Sequence, residues 1–415
     1  MIEQYGTTLF LQPVDEVIAM IKIGVVGFGL RAGGIYKILK EVDPEFCLGG
    51  IVDPDEKRVR QELPENERNV DFYSDIAGLA GRGKVDALLI GTRCNLHTEL
   101  AVEALKYDIP VWLEKPVAIS MEQALMLEQA CREKQDRILV SFPLRATPLY
   151  ERAKEILDSG CLGKVVHFNA VNYVSYGGVY FETAYRNFEV TQGLFLQKAT
   201  HDFDYLCRIL NSPIRRIAAL WSRGQIFGGD KPEGLRCGEC GEVETCMESP
   251  LNRMRGDSGG DLKSHLCPFS SRLGTPESGM NEDASSALIE LENGIHGVYS
   301  QVFFTRRAAW RGATFSGYRG TLSFDWPSAE IHLTEHFAPF ATVMNAPKKN
   351  SHFGGDYELG RNFRDMILKG RAPLAGIADG LNSVYACLAA KESAETGEFV
   401  NVRHFGDAFP ADMKS

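Results

Sequence analysis

The chain has 415 residues, of which 44% are hydrophobic and 24% charged, with a formal net charge of −10. That length accommodates two sizeable cores at ordinary globular composition, and the acidic balance excludes nucleic acid as the main partner, because phosphate binding needs a basic surface. No apolar run reaches a membrane span, and the first 20 residues lack the basic start and apolar core of a secretory leader, so a cytoplasmic location is expected.

Residues 1–19 have no place in the first folding unit and are read as an N-terminal arm. Residues 21–26, IKIGVV, carry the β-branched Ile21, Ile23, Val25 and Val26, which suits a strand buried on both faces of a parallel sheet. Gly27-Phe28-Gly29-Leu30-Arg31-Ala32 follows, and then a helical pattern through Ile35, Ile38 and Leu39. Gly27 permits the tight turn out of the strand, Gly29 lets a pyrophosphate approach bare backbone at a helix N-terminus, and Ala32 allows close helix–strand packing. A second strand over 46–51 ends at Asp53, 21 residues beyond Ala32, where a carboxylate accepts hydrogen bonds from ribose hydroxyls and repels a 2′-phosphate. The expected cofactor is therefore NAD rather than NADP, with Arg58 close enough to blur that preference.

Residues 85–90 read as a third buried strand, which aims Gly91-Thr92-Arg93 at the cofactor from its carboxyl end. A helix is expected over 96–106, with Asn95 as its N-cap and His97 in its first turn. A short strand over 109–113 leads into Glu114-Lys115-Pro116, Ser120 caps a helix to about 134, and residues 137–142 close the sheet. Strands alternating with helices in this way mean a doubly wound parallel sheet, a nucleotide-binding domain over 20–143. A helix over 148–159 comes next, and strands over 164–176, 214–221, 284–291, 295–305 and, with internal breaks, 311–324 then predict a large, mostly antiparallel sheet in a second domain over 144–403. A helix over 378–396 precedes a tail at 404–415.

Two stretches carry candidate chemistry. Lys115, beyond a strand's carboxyl end, would point into the cofactor cleft, where desolvation lowers its pKa and its ammonium orients a substrate hydroxyl. On a helix over 194–206, LFLQKATHDFDYL, Gln197 and His201 share a face, with Lys198 three residues before the histidine. A neutral imidazole there accepts a hydroxyl proton while hydride leaves its carbon. A glycine- and charge-rich insertion over 224–279 contains Cys237, Cys240, Cys246 and Cys267, spaced C-x2-C-x5-C-x20-C. Four thiolates suffice for a tetrahedral structural zinc that would staple a long polar loop, with His265 as a substitute ligand. An iron–sulfur cluster fits the same count, and free or disulfide-bonded cysteines are the alternative.

GVVGFGLRAGG, the acid in IVDPDEKR, WLEKP and QKATHDFDYL, with SGCLGKVVHF and DGLNSVYACLAAKESAETGEFV later, resemble the Gfo/Idh/MocA family of nicotinamide-dependent oxidoreductases over nearly all of the chain after residue 20. The resemblance implies a Rossmann domain followed by a mixed α/β domain whose open sheet commonly forms a subunit interface, hence a homo-oligomer: dimer, tetramer or hexamer. It implies a cofactor site drawn from Gly27, Phe28, Gly29, Leu30, Arg31, Asp53, Thr92, Asn95, His97, Glu114 and Lys115. Lys115 matches the family lysine that contacts substrate and nicotinamide, and His201 matches the usual catalytic histidine. Many relatives carry an aspartate where this chain has Gln197; an amide cannot take up a proton, and Lys198 is the candidate substitute.

A glycoside-acting subgroup is similar to this chain around Tyr180, Tyr185 and Arg186 and at His352-Phe353-Gly354-Gly355-Asp356. With Arg145, Gln197 and His201, these are expected to line a sugar pocket. The implied activity is NAD-dependent hydride transfer from a ring hydroxyl of a sugar, cyclitol or glycoside. The alternative is a glycosidase that oxidises the ring transiently, eliminates the aglycone, adds water and returns the hydride to the ring.

Overall fold

The computed structural model describes residues 20–81, 85–252, 262–270 and 279–409. The expected N-terminal arm over 1–19 lies outside the described residues, as do parts of the cysteine insertion and the end of the tail.

Five parallel strands form the first sheet: β1 (Ile21–Val26), β2 (Phe46–Val52), β3 (Ala87–Ile90), β4 (Val111–Leu113) and β5 (Ile138–Val140), in the order β2-β1-β3-β4-β5. All four residues of β3 and all three of β4 and of β5 are buried, as the unbroken apolar runs require for strands covered on both faces. The accompanying helices are α1 (Leu30–Val42), α2 (Glu56–Glu62), α3 (Ile76–Ala80), α4 (His97–Ala104) and α5 (Met121–Cys131). The Ser120 hydroxyl caps α5 by accepting from the Gln123 N–H at 3.2 Å. Asn95 does not cap α4. A 3-10 turn, Cys94–Leu96, intervenes, α4 starts without a side-chain cap, and the Asn95 carbonyl accepts from the Gln123 amide instead.

The second sheet has nine strands: β6 (Val165–Tyr173), β7 (Ile214–Ser222), β8 (Ala284–Leu291), β9 (His296–Val302), β10 (Trp310–Gly317), β11 (Gly320–Asp325), β12 (Glu330–Glu335), β13 (Ala341–Asn345) and β14 (Val400–Asn401). Their order is β13-β12-β11-β10-β6-β9-β8-β7-β14, antiparallel throughout except where β6 meets β9. This is the mostly antiparallel open sheet expected from the long alternating strands. Its helices are α6 (Pro148–Asp158), α7 (Val179–Glu182), α8 (Phe188–Thr191), α9 (Thr200–Ile209), α10 (Gly355–Lys369) and α11 (Ile377–Thr396). The inner face carries Phe168, Ala170, Ile217, Ala287, Tyr299 and Phe315, all buried in the largest core cluster with residues of α9 and α11.

The chain returns to the first sheet after crossing the second. Gly360 of α10 comes close to Ile38, Leu39 and Val42 of α1, and Phe363 meets Trp112 of β4 edge-on at 5.6 Å between ring centroids. The Val140 N–H donates to the Ala375 carbonyl at 2.8 Å, which ties the segment before α11 to β5.

Candidate active site

The turn after β1 has the backbone that its glycines predict. Gly27 sits at φ +78°, and a Cβ there would come within 3 Å of the Thr92 backbone, so neither conformation nor space admits a larger residue. Thr92 thus packs against the turn. Gly29 is the extended residue before α1, and a Cβ built on it meets nothing within 4 Å. That open space faces a 13-residue helix with no side-chain cap and no acid in its first turn, an arrangement suited to an anion. Leu30, 95% exposed, stands at the same rim. Phe28 is buried against Tyr36, while its backbone N–H donates to Asp53 at 2.8 Å. The other Asp53 oxygen accepts from the Asp55 N–H, and the Arg58 guanidinium lies 3.4 Å away, so the expected ribose-binding acid sits directly beside the turn. A dinucleotide fits this set of groups.

Arg31 does not turn toward the space before α1. Its guanidinium grips both oxygens of Asp356 in α10, at 2.7 and 2.9 Å, and also donates to Glu114 at 2.9 Å and Ser141 at 3.0 Å. Asp356 holds His352 Nδ1 at 2.8 Å. Burial alone would raise the Asp356 pKa; Arg31 and His352 overcome it and bring the group down to about 2. One ion network therefore joins the glycine turn, the Glu-Lys-Pro turn and the start of α10. His97 also braces the site from behind: its ring spans the carbonyls of Pro116 at 2.7 Å and Thr92 at 3.1 Å.

The cleft beyond holds Lys115, Lys198, His201 and His352. Lys115 Nζ donates to the Gln197 carbonyl at 2.6 Å. Burial, helped by the charge of Lys198, brings its pKa down to about 7. His201 packs edge-on to Phe142 and lies 6.0 Å from the His352 ring, and its buried Nδ1 has no hydrogen-bond partner among the described residues. Burial and then the positive charges of Lys115, Arg311, His352 and Lys198 drive its pKa well down, which leaves a neutral imidazole.

The helix expected over 194–206 is not regular. Phe195–Ala199 forms a π-turn ahead of α9. The wider turn breaks the i,i+4 relation between Gln197 and His201. The Gln197 amide consequently points at Cys94 Sγ and the Thr191 carbonyl, away from the imidazole, and only its backbone carbonyl serves Lys115. Lys198 Nζ instead donates to the Tyr176 hydroxyl at 2.6 Å, with its charge over the Tyr176 and Tyr180 rings.

Other expected pocket residues fare unevenly. Tyr180 is buried against Tyr185 and Phe303, and Arg93 stacks on Tyr185 at 4.8 Å. Arg186 donates to Ser270 and to the Cys267 carbonyl, so it anchors the insertion. Arg145 does not line the cleft: only 3% exposed, it is committed to Asp204, Asp379 and the Leu374 carbonyl, as a buried guanidinium must be. The zinc expectation finds no support among the described residues. Among the described residues, no group of three or more His, Cys, Asp or Glu is arranged to hold a metal ion, and all four insertion cysteines are free thiols. Backbone pairing closes the loop instead, with the Cys237 N–H on the His265 carbonyl and the Cys267 N–H on the Leu235 carbonyl. Burial, and then the neighbouring Cys267, Cys246 and Cys240, push the Cys237 thiol up to about 11, and His265 is engaged with Glu182 at 2.8 Å.

Comparison with known proteins decides the lineage. Residues 21–142 match the oxidoreductase family with an NAD-binding Rossmann fold, and residues 150–323 match the GFO/IDH/MocA C-terminal domain. The chain belongs to the Gfo/Idh/MocA family. Within it, the chain is 22% identical over 397 residues to the putative oxidoreductase YteT of Bacillus subtilis, spanning 86% of this chain and 90% of that one. It is 26% identical over 228 residues to the myo-inositol 2-dehydrogenase of Thermotoga maritima, spanning 55% and 64%. A levoglucosan dehydrogenase solved with NADH and levoglucosan shares the fold at a TM-score of 0.72 and 16% identity, covering 92% of this Gfo/Idh/MocA chain and 99% of that one.

Proposed function

We propose that this protein oxidises a ring hydroxyl of a sugar, cyclitol or glycoside with NAD. The observation that carries the reading is the convergence of Lys115 from the first sheet and a neutral, buried His201 from the second, beside a glycine turn open to a dinucleotide. The names of relatives, inositol dehydrogenases and levoglucosan dehydrogenase among them, support a polyhydroxylated ring as substrate class. Bound at Gly27–Arg31 with its ribose on Asp53, NAD supplies the hydride acceptor. Lys115 orients the reacting hydroxyl and lowers its proton affinity, and the neutral His201 ring stands beside that hydroxyl. Tyr180, Tyr185 and His352 border the ring, and the apolar outer face of the second sheet is the proposed contact with a second copy of the chain.

The test is to mix the protein with NAD and a panel of inositols, anhydrosugars and methyl glycosides while following NADH absorbance. Growth of NADH with at least one cyclic polyol is expected. Cleavage of a glycoside with no net NADH would overturn this reading in favour of the redox-neutral glycosidase.

A further inference from the structure

The buried cations of the cleft act oppositely on two of its neutral groups. Lys115, Arg311, His352 and Lys198 all oppose a positive charge on His201. An imidazole so placed is a poor final resting place for a proton, because gaining one creates a cation among cations. A phenol in the same field behaves the other way, since losing its proton creates an anion that the cations favour. Tyr176 is that phenol. It lies just beyond β6, with its hydroxyl 2.6 Å from Lys198 Nζ and the ammonium 4.8 Å from its ring centroid. Lys198 is 5% exposed, whereas Tyr176 is 41% exposed, so the pair joins the buried floor of the cleft to accessible space.

We propose that Tyr176, held by Lys198, is the catalytic proton acceptor of this site, with His201 orienting the substrate hydroxyl. The inference rests on the hydride-transfer reading above and assigns the destination of the proton. In the balanced step, the substrate O–H bond breaks and its proton joins the Tyr176 phenolate oxygen. The carbinol C–H electron pair leaves as hydride to the nicotinamide dinucleotide, which is reduced, and the carbinol carbon becomes a carbonyl. Reduction runs the same path backward.

The groups facing Tyr176 are known from each element around it. Lys198 from the π-turn lowers its pKa most, against the opposing effect of burial; Arg311 from β10 also lowers it, and Asp202 from α9 raises it. Asp202 is largely neutralised by Arg311, with guanidinium contacts of 2.7 and 2.9 Å, and receives the Tyr299 hydroxyl at 2.7 Å and the Asn172 amide at 2.8 Å. Tyr180 from α7 is pushed up by burial and then by Tyr176.

Two measurements on the full-length, NAD-bound protein test the assignment. Ultraviolet difference titration of tyrosinate should show one transition below the ordinary phenol value of 10, missing in Tyr176→Phe and displaced upward in Lys198→Met. With a polyol that the panel identifies, Tyr176→Phe should lower kcat about 10²- to 10⁴-fold and remove the acidic limb of its pH profile, with NAD affinity unchanged. A tyrosinate titration that is the same in wild type and Tyr176→Phe overturns the proposal, and so does a kcat that survives the substitution. A low transition assigned to Tyr176, with no polyol oxidised, sinks the dehydrogenase reading and leaves the ionised Tyr176–Lys198 pair standing.

Discussion

Lys115 shows what a single residue costs and supplies. Its ordinary value of 10.5 falls to about 7 in the folded chain, so between those values the unfolded chain binds one proton more than the native state. Stability linked to this group therefore rises with pH across that window, and the penalty of burying the ammonium is complete below about pH 7. Lys115→Met should raise the melting temperature most below pH 7, with the gain shrinking toward pH 10.5, while turnover disappears; thermal melts across that range check it. A melting temperature lowered at every pH would show that Lys115 stabilises the fold. Lys115 and His201 were legible in the sequence because each follows a local signal, a strand end before proline and a histidine within a polar helical stretch. Tyr176, the proposed proton acceptor, was not, because it follows an ordinary alternating strand and stands out only through its contact with Lys198, 22 residues on. Arg145 was misread for the same reason: its partners Asp204 and Asp379 lie 59 and 234 residues away.

Among the elements, α10 has most to do with the site and left the faintest trace in the sequence. Its start was noticed only as the His352–Asp356 motif, because the helix earns its place through contacts with α1 and the Pro143–Ala146 turn. Gly355 opens α10 against that turn, and a Cβ there would lie 1.9 Å from the Pro143 carbonyl oxygen. Gly355→Ala must push the helix off, carrying Asp356 away from Arg31 and loosening His352. A loss of roughly 1–3 kcal/mol in urea unfolding is expected from the overpacking, together with a raised KM for the polyol. An alanine variant with unchanged stability and KM would mean that the helix start adjusts freely. The π-turn is the other element that pattern reading missed. A helix-compatible run gives no warning that one turn is widened, yet that widening turns Gln197 aside and brings Lys198 to Tyr176.

For the molecule as a whole, the type of both sheets follows from what the sequence shows, buried β-branched runs for the parallel sheet and long alternation for the other, while the strand orders come only from the structure. The outer face of the second sheet exposes Leu288 of β8 and Val298 of β9 as a cross-strand pair, with Leu220 of β7 also exposed, opposite Ser286 and diagonal to Leu288. The proposed homo-oligomer contact is placed on this face, and Leu220→Asp with Leu288→Asp should convert that homo-oligomer to monomer in light scattering. An unchanged particle mass would exclude this face as the contact. In the cysteine insertion the spacing of four cysteines alone does not establish a metal site, and backbone pairing ties together its described parts. The return of α10 and the 375–376 bridge to the first sheet carries one more consequence. Trp112 and the edge strand β5 meet Phe363 and Ala375, made 251 and 235 positions later in the chain, so on the ribosome the nucleotide-binding half stays incompletely sealed until nearly all of these residues have emerged.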